Sequence, residues 1–138
     1  MTDLATLQAK YPRALSWAFG DSPALADTLA ALIVQGKKTA TCGSLAAFEQ
    51  DADAPAPGRY CIVLDGQNQP TCVIRIVGLT LMRFCDVTAD FARKEGEGDL
   101  SLAYWRQEHQ RFFESTGTFD ERMELVAEEF ALIEVLPR

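Results

Sequence analysis

The chain has 138 residues, 48% of them hydrophobic, and carries a formal net charge of −7. This length is typical of one domain, and the apolar content excludes a largely disordered chain. The negative charge disfavours nonspecific binding to long nucleic acids, because such binding depends on cations that neutralise phosphates. No apolar run approaches the ~20 residues of a membrane span. Because the N-terminus also lacks a secretory signal, we expect a cytoplasmic protein that does not bind membranes.

The N-terminal part of the chain is predicted to be helical. We expect a short helix over residues 4–18, interrupted by a proline. Ser22 and Pro23 are typical of a helix start, because serine caps the free N–H groups and proline suits the first turn. The apolar spacing that follows predicts a helix to Gln35. Gly36 then ends it in the left-handed conformation.

The rest of the chain mixes strands and helices. The predicted order is an extended segment at 38–42, a helical turn at 45–50, strands at 59–64 and 71–84, helices at 88–95 and 101–115, and a strand at 121–136. This order lacks the regular alternation of a doubly wound fold. We therefore expect one α+β domain over residues 1–138. Its mixed or antiparallel sheet would curl into a small barrel, with the helices of residues 4–35 packed on it.

The cysteines give no metal-binding pattern. None belongs to a Cys-x-x-Cys pair, and His109 is the single histidine. Each cysteine lies among apolar neighbours, so we expect four small buried thiols without disulfides, metal or cofactor. These residues are Cys42, Cys61, Cys72 and Cys85.

The segment 36–41 is the best candidate for chemistry, because it places two lysines and two threonines directly after a helix. Thr41 can act as a nucleophile only if a base removes its proton. Lys38 is a base only when neutral, which requires its pKa to fall by about 3 units from ~10.4. Burial and Lys37 would lower this pKa, whereas the helix C-terminus would raise it.

If the cation persists, Lys38 instead stabilises an oxyanion, and a carboxylate must serve as the base. The residues themselves leave both roles open. They also leave open a solvated lysine pair followed by a plain strand, with no chemistry at all.

Several segments together resemble the ASCH domain family. They are residues 17–22 (Trp-Ala-Phe-Gly-Asp-Ser), residues 36–42, Leu64-Asp65-Gly66, the run from Phe91 to Asp99, Trp105-Arg106-x-x-His109 and Phe112-Phe113. The resemblance covers roughly residues 13–135. It implies a fold similar to the PUA superfamily, a small β-barrel flanked by helices, and a role near RNA or modified nucleosides.

The resemblance also implies site residues. Compact bacterial members of the family include amidohydrolases of N4-acetylcytidine, which use a lysine, a threonine three residues later and a glutamate in a downstream helix. These positions match Lys38, Thr41 and Glu95. In such a mechanism Thr41 attacks the amide carbonyl, Lys38 removes a proton or stabilises charge, and Glu95 orients the lysine or shuttles the proton. Other similar members are described as ribonucleases or are assumed to bind RNA, which is the alternative function.

Aromatic and basic residues are candidates for substrate binding. Trp17 and Trp105 could stack on a base, although filling the core is their more ordinary role. Arg75 could join Arg83, Arg93 and Lys94 in a phosphate-binding patch, and Lys37 and Arg106 complete the predicted set. His109 is an acid or base in the ribonuclease alternative and otherwise a packed core residue. The predicted partner is a nucleoside-like small molecule or single-stranded RNA, and the oligomeric state is left open.

Overall fold

The structure, a computed structural model, describes residues 3–137. The elements are α1 (Leu4–Lys10), β1 (Leu15–Ala18), α2 (Pro23–Val34), β2 (Ala40–Ser44), α3 (Leu45–Gln50), β3 (Tyr60–Leu64), β4 (Pro70–Arg83), α4 (Ala89–Glu95), α5 (Leu102–Ser115) and β5 (Glu124–Val135). A short 3-10 turn, Phe84–Asp86, joins β4 to α4.

The strands form one curled sheet in the order β1-β3-β4-β5-β2. The β1–β3 pair is parallel and the other pairs are antiparallel. The register between β4 and β5 shifts after Val73 and again after Ile76, and such irregularities bend a strand. The sheet closes only partly and forms a half-barrel. The predicted α+β class with a mixed, curled sheet is therefore confirmed.

The predicted helix over residues 4–18 is wrong in its second half. The helix ends at Lys10, and Pro12 and Arg13 lie in the turn that follows, Arg13 with a φ of 70°. Leu15–Ala18 is instead a strand that pairs in parallel with β3. Four residues are too few to show an alternating pattern, and this strand is defined by its tertiary partner.

The start and end of α2 are as predicted. Ser22 accepts a hydrogen bond from the Leu25 N–H at 3.1 Å, and Pro23 occupies the first turn. The helix ends at Val34, and Gly36 adopts a φ of 77°. The chain therefore changes direction directly before the lysines.

Three apolar clusters cover the sheet. One packs Leu29 and Ile33 of α2 against β1, β3 and β4. A second packs α4 and α5 against β2 and β5 and includes Trp105 and Phe113. The third places Leu7 of α1 on the opposite face of β3 and β4. Both faces of the central strands are thus buried, while β2 forms one edge of the sheet and packs against α4 and α5.

The cysteines only partly match their prediction. All four are free thiols, and Cys61 and Cys72 are buried. Cys42 is half-buried, and Cys85 is exposed, because it lies in the 3-10 turn where the chain leaves the sheet. The expectation of four buried thiols is wrong for Cys85. Within residues 3–137, no helix has both the length and the apolar character needed to cross a membrane.

Candidate active site

The turn after α2 buries Lys38. The backbone N–H groups of Lys37 and Lys38 both donate to the carbonyl of Leu32, at 2.9 and 3.1 Å. This tight turn leaves Lys37 exposed and points the Lys38 side chain inward, where it is 2% exposed. A lysine is almost never so buried unless its charge is paired, so Lys38 requires a specific partner.

That partner comes from the end of α4. Thr88 caps this helix by accepting from the Phe91 N–H, and Glu95 is its last residue. The Thr39 N–H donates to the Lys94 carbonyl at 2.7 Å, which ties the turn after α2 to the end of α4. Gly96 follows with a φ of 75°, and a Cβ at this position would lie 2.4 Å from the Lys37 carbonyl oxygen. Only glycine allows the two segments to approach this closely.

Lys38 and two carboxylates form a buried charge cluster. The Lys38 ammonium lies 3.2 Å from Glu95 Oε1 and 2.9 Å from Glu97 Oε2, and it also donates to the Glu95 carbonyl at 3.3 Å. Burial by itself would lower the pKa of Lys38, but the charges of Glu95 and Glu97 outweigh it and raise this pKa. Lys38 is therefore a cation, and the neutral-amine base is not the state that this structure favours.

The second oxygen of Glu95 is also engaged. Glu95 Oε2 accepts from Trp105 Nε1 at 2.6 Å and lies 3.4 Å from His109 Nε2. Burial opposes the charge of Glu95, but Lys38 and the hydrogen bonds of His109 and Trp105 lower its pKa to about 2. Glu95 is 1% exposed and fully ionised at neutral pH.

His109 completes this network on α5. Its Nδ1 lies 2.9 Å from the Trp105 carbonyl, and its ring stacks on the Trp105 indole with centroids 4.0 Å apart. Because both ring nitrogens face oxygen acceptors, the imidazolium form suits this position. Burial lowers the pKa of His109, but the hydrogen bond and charge of Glu95 raise it overall.

The cluster lies in the wall of a cavity of about 400 Å³. Lys38, Glu95 and Thr41 all line it, so the structure brings the three predicted catalytic side chains to one space. The remaining wall contains both apolar and polar side chains. It consists of Phe19, Gly20, Asp21, Leu25, Leu29, Cys42, Glu97, Tyr104, Glu108, His109, Arg111, Phe112, Phe113 and Ser115.

All five of the predicted substrate-binding residues lie outside this cavity. Trp17 is half-buried and faces a separate depression, and Arg75 donates to the Gly58 carbonyl while its guanidinium lies over Tyr60. Arg106 and Lys37 are exposed and are not part of the wall. Trp105 is buried behind the wall, where it holds Glu95 and cannot present its face to a ligand.

In the described part of the chain, residues 3–137, the cluster that could hold a metal ion consists of Cys42, Glu95 and His109. Their ligand atoms lie within 4.8 Å of one another, although their separation in the sequence gave no sign of this. Burial and the Glu95 charge raise the pKa of the Cys42 thiol well above its usual value, which opposes formation of the thiolate ligand. The Lys38 ammonium, already paired with Glu95, opposes a second cation at the same carboxylate.

Several acidic residues were not predicted as functional, namely Asp21, Glu97 and Glu108 of the cavity wall and Glu128, which lies outside the wall. Glu97 binds Lys38, and its only sequence signal was its place beside the glycines that follow α4. Glu128 lies in β5 opposite Thr41. The sequence did indicate that Glu128 is at least partly buried. Glu128 and Phe130 share one face of an alternating strand, and a phenylalanine on a strand rarely faces water.

A half-barrel sheet flanked by helices is the architecture of a PUA-like domain. In this chain a buried lysine–glutamate pair lies beside it. The chain belongs to the ASCH domain family, whose model matches residues 15–134. Its fold is similar to that of an ASCH domain from Lactobacillus crispatus JV V101, with a TM-score of 0.81, 32% identity, and coverage of 91% of this chain and 83% of the other.

Two further solved structures are similar. A protein from Enterococcus faecalis V583 gives a TM-score of 0.78 with 38% identity, covering 88% of this chain and 77% of the other. An ASCH protein from Zymomonas mobilis gives 0.53 with 16% identity, covering 90% and 68%, and this likeness concerns the fold alone. No curated protein matches the sequence significantly.

Proposed function

We propose that this protein hydrolyses the exocyclic amide of an acylated nucleoside, such as N4-acetylcytidine, by acyl transfer through Thr41. The observation that supports this most directly is the single cavity lined by a hydroxyl, a buried ammonium and the carboxylate that holds it. A volume of about 400 Å³ lies within the usual range of small-molecule sites, roughly 300–1,000 Å³.

In this proposal Lys38 stabilises the oxyanion. Attack of Thr41 Oγ1 on the amide carbonyl creates a negatively charged tetrahedral oxygen, and a fixed cation shielded from water stabilises such charge strongly. Glu95 is a positioning residue, because its low pKa keeps it ionised beside Lys38 and prevents it from carrying a proton at neutral pH. Trp105 fixes the orientation of Glu95 in turn.

The charge of the wall favours a neutral nucleoside over RNA. Four carboxylates, Asp21, Glu95, Glu97 and Glu108, line the cavity with two permanent cations. Both cations are paired, Lys38 with two of these carboxylates and Arg111 with Glu108 at 2.7 Å. An excess of negative charge repels phosphates but does not repel an uncharged nucleoside.

Two cations of the predicted phosphate-binding patch are also already paired. Arg93 pairs with Asp90, and Lys94 pairs with both Asp90 and Glu129. Phe19, Leu25 and Leu29 instead provide an apolar surface at one side of the cavity, which suits the face of a nucleobase.

The test is hydrolysis of N4-acetylcytidine by the purified protein, followed by chromatography of cytidine and acetate. Thr41→Ala should lower turnover by at least about 10³-fold, because it removes the nucleophile. Thr41→Ser keeps a hydroxyl and should retain measurable activity. Equal turnover by wild type and Thr41→Ala would refute the nucleophile assignment.

Single-stranded oligoribonucleotides belong in the same screen at several salt concentrations. Binding or cleavage that falls steeply as salt rises would indicate the RNA alternative, because released counterions drive such binding. We expect nucleoside hydrolysis to change little with salt, since its substrate is uncharged.

A further inference from the structure

We propose that Glu128 is the general base that takes the proton of Thr41. This inference rests on the proposed hydrolysis and assigns the one role that Lys38, Thr41 and Glu95 leave unfilled. Lys38 is a cation, and Glu95 already binds Lys38, Trp105 and His109. His109 faces two oxygen acceptors and is suited to donate a proton rather than accept one.

The sheet places Glu128 beside the nucleophile. Thr41 and Glu128 are register partners in the antiparallel β2–β5 pair. Directly opposed residues project from the same face, with Cβ atoms about 4.5–5.5 Å apart. A glutamate side chain can therefore reach the hydroxyl of the threonine opposite it by a rotation about its own bonds.

One oxygen of Glu128 is buried without a partner. Among the residues that the structure describes, Glu128 Oε1 is the buried side-chain atom that no group hydrogen-bonds. Phe130 projects from the same face two residues later and is 5% exposed, so this face of β5 is covered. A buried carboxylate oxygen without a hydrogen bond is costly, and such an atom requires an explanation such as a catalytic role.

Burial and the neighbouring charges bring the pKa of Glu128 close to neutral pH. Burial and the Glu95 charge raise the pKa of Glu128, Lys38 lowers it in part, and the result is about 7. Cys42 and Cys61 also sense the Glu128 charge, and the pKa values of both thiols are raised, so neither is ionised near pH 7. A base with a pKa near the working pH is the most effective in proton transfer.

The proton and bond changes balance with Glu128 in this role. In the first step the Thr41 proton passes to the Glu128 carboxylate as Oγ1 bonds to the acyl carbon. The C–N bond then breaks, the proton goes to the leaving amine, and the nucleoside departs from an acyl-threonine ester. In the second step Glu128 takes a proton from water as the water oxygen bonds to the acyl carbon. That proton returns to Oγ1 as the ester breaks and the carboxylic acid leaves.

The experiment compares Glu128→Gln, Glu128→Asp and the adjacent surface variant Glu129→Gln in hydrolysis of N4-acetylcytidine from pH 5 to 9. Wild type should show kcat/KM rising with an apparent pKa near 7, since the base must be ionised. Glu128→Gln should lose about 10²–10⁴-fold in kcat and also lose this rise. Glu128→Asp should keep the rise at a lower rate, and Glu129→Gln should match wild type.

The inference is overturned if Glu128→Gln keeps the wild-type rate and pH profile. That outcome leaves the proposed function standing, provided that Thr41→Ala is inactive. Absence of hydrolysis by wild type refutes the function and the inference together. Carbon-13 NMR titration of the Glu128 carboxyl is independent of activity, and a pKa near 4.5 there would also overturn the inference.

Discussion

Lys38 Nζ lies 3.2 Å from Glu95 Oε1 although the two residues are 57 positions apart in the sequence. Both side chains are almost completely excluded from solvent. A pair of this kind adds little net stability, because removing two charges from water opposes their attraction. The pair instead holds the Lys38 ammonium at a fixed position and keeps it charged.

Lys38→Met should destabilise the fold by about 3–5 kcal/mol, because it leaves the Glu95 carboxylate buried without its counter-ion. Chemical denaturation at pH 7 measures this loss. The double variant Lys38→Met/Glu95→Leu should recover only part of the stability, since it removes both charges but leaves the Trp105 N–H without an acceptor. It should have no hydrolytic activity. Lys94→Met, which breaks the more exposed pair with Glu129, should cost less than about 1 kcal/mol. Similar losses in Lys38→Met and Lys94→Met would contradict a dependence on burial.

Trp105→Phe tests whether the hydrogen bond from Trp105 stabilises the Glu95 carboxylate. The change keeps an aromatic ring in the core but removes the Nε1–H donor that lies 2.6 Å from Glu95 Oε2. A hydrogen bond to a charged group contributes about 1.5–3 kcal/mol, so we expect a loss of this size in the free energy of unfolding. The pKa of Glu95 should rise, because this donor helps to lower it. NMR titration of the carboxyl measures that shift, and Trp17→Phe is the control that should leave it unchanged.

The sequence was sufficient to predict the fold wherever one local signal decided the outcome. Ser22, Pro23 and Gly36 defined α2, and alternating apolar residues defined β4 and β5. The strand Leu15–Ala18 was missed because its four residues extend a sheet only when β3 is already beside them. Local patterns carry no information about such a partner.

The candidate site could likewise be predicted only in part from the sequence. Lys38, Thr41 and Glu95 were found through a resemblance to a family, but their ionisation depends on distances that no sequence pattern gives. Glu128 was not among the predicted site residues. Its environment is set by the curl of the sheet around Phe130 and by the charges of other elements, which are tertiary facts.

Glu128→Gln should change how stability depends on pH. A carboxyl with a folded pKa of about 7, against 4.5 in the unfolded chain, binds more protons in the folded state between these values. The contribution of this carboxyl to the free energy of unfolding is therefore fully present below pH 4.5 and is lost as pH rises through 7. The full shift corresponds to about 3 kcal/mol. The stability difference, Glu128→Gln minus wild type, should thus grow by up to this amount between pH 4 and pH 8, as measured by urea denaturation. A constant difference would show that Glu128 titrates normally.

Gly96→Ala should disrupt the site without touching any charged group. A Cβ at Gly96 would lie 2.4 Å from the Lys37 carbonyl oxygen and 2.9 Å from the Lys38 nitrogen, and the φ of 75° already disfavours alanine. The end of α4 must then move away from the turn after α2, and Glu95 moves with it. Gly117→Ala is a matched control, because its φ is 72° and nothing lies within 4 Å of the added Cβ.

The control carries only the backbone strain, about 1–2 kcal/mol, whereas Gly96→Ala carries this strain and the steric clash. We therefore expect Gly96→Ala to lose more stability than Gly117→Ala and to lose hydrolysis as well, while Gly117→Ala stays active. Equal effects of the two changes on unfolding and on turnover would mean that the contact between α4 and the Lys37–Lys38 turn does not position the catalytic pair.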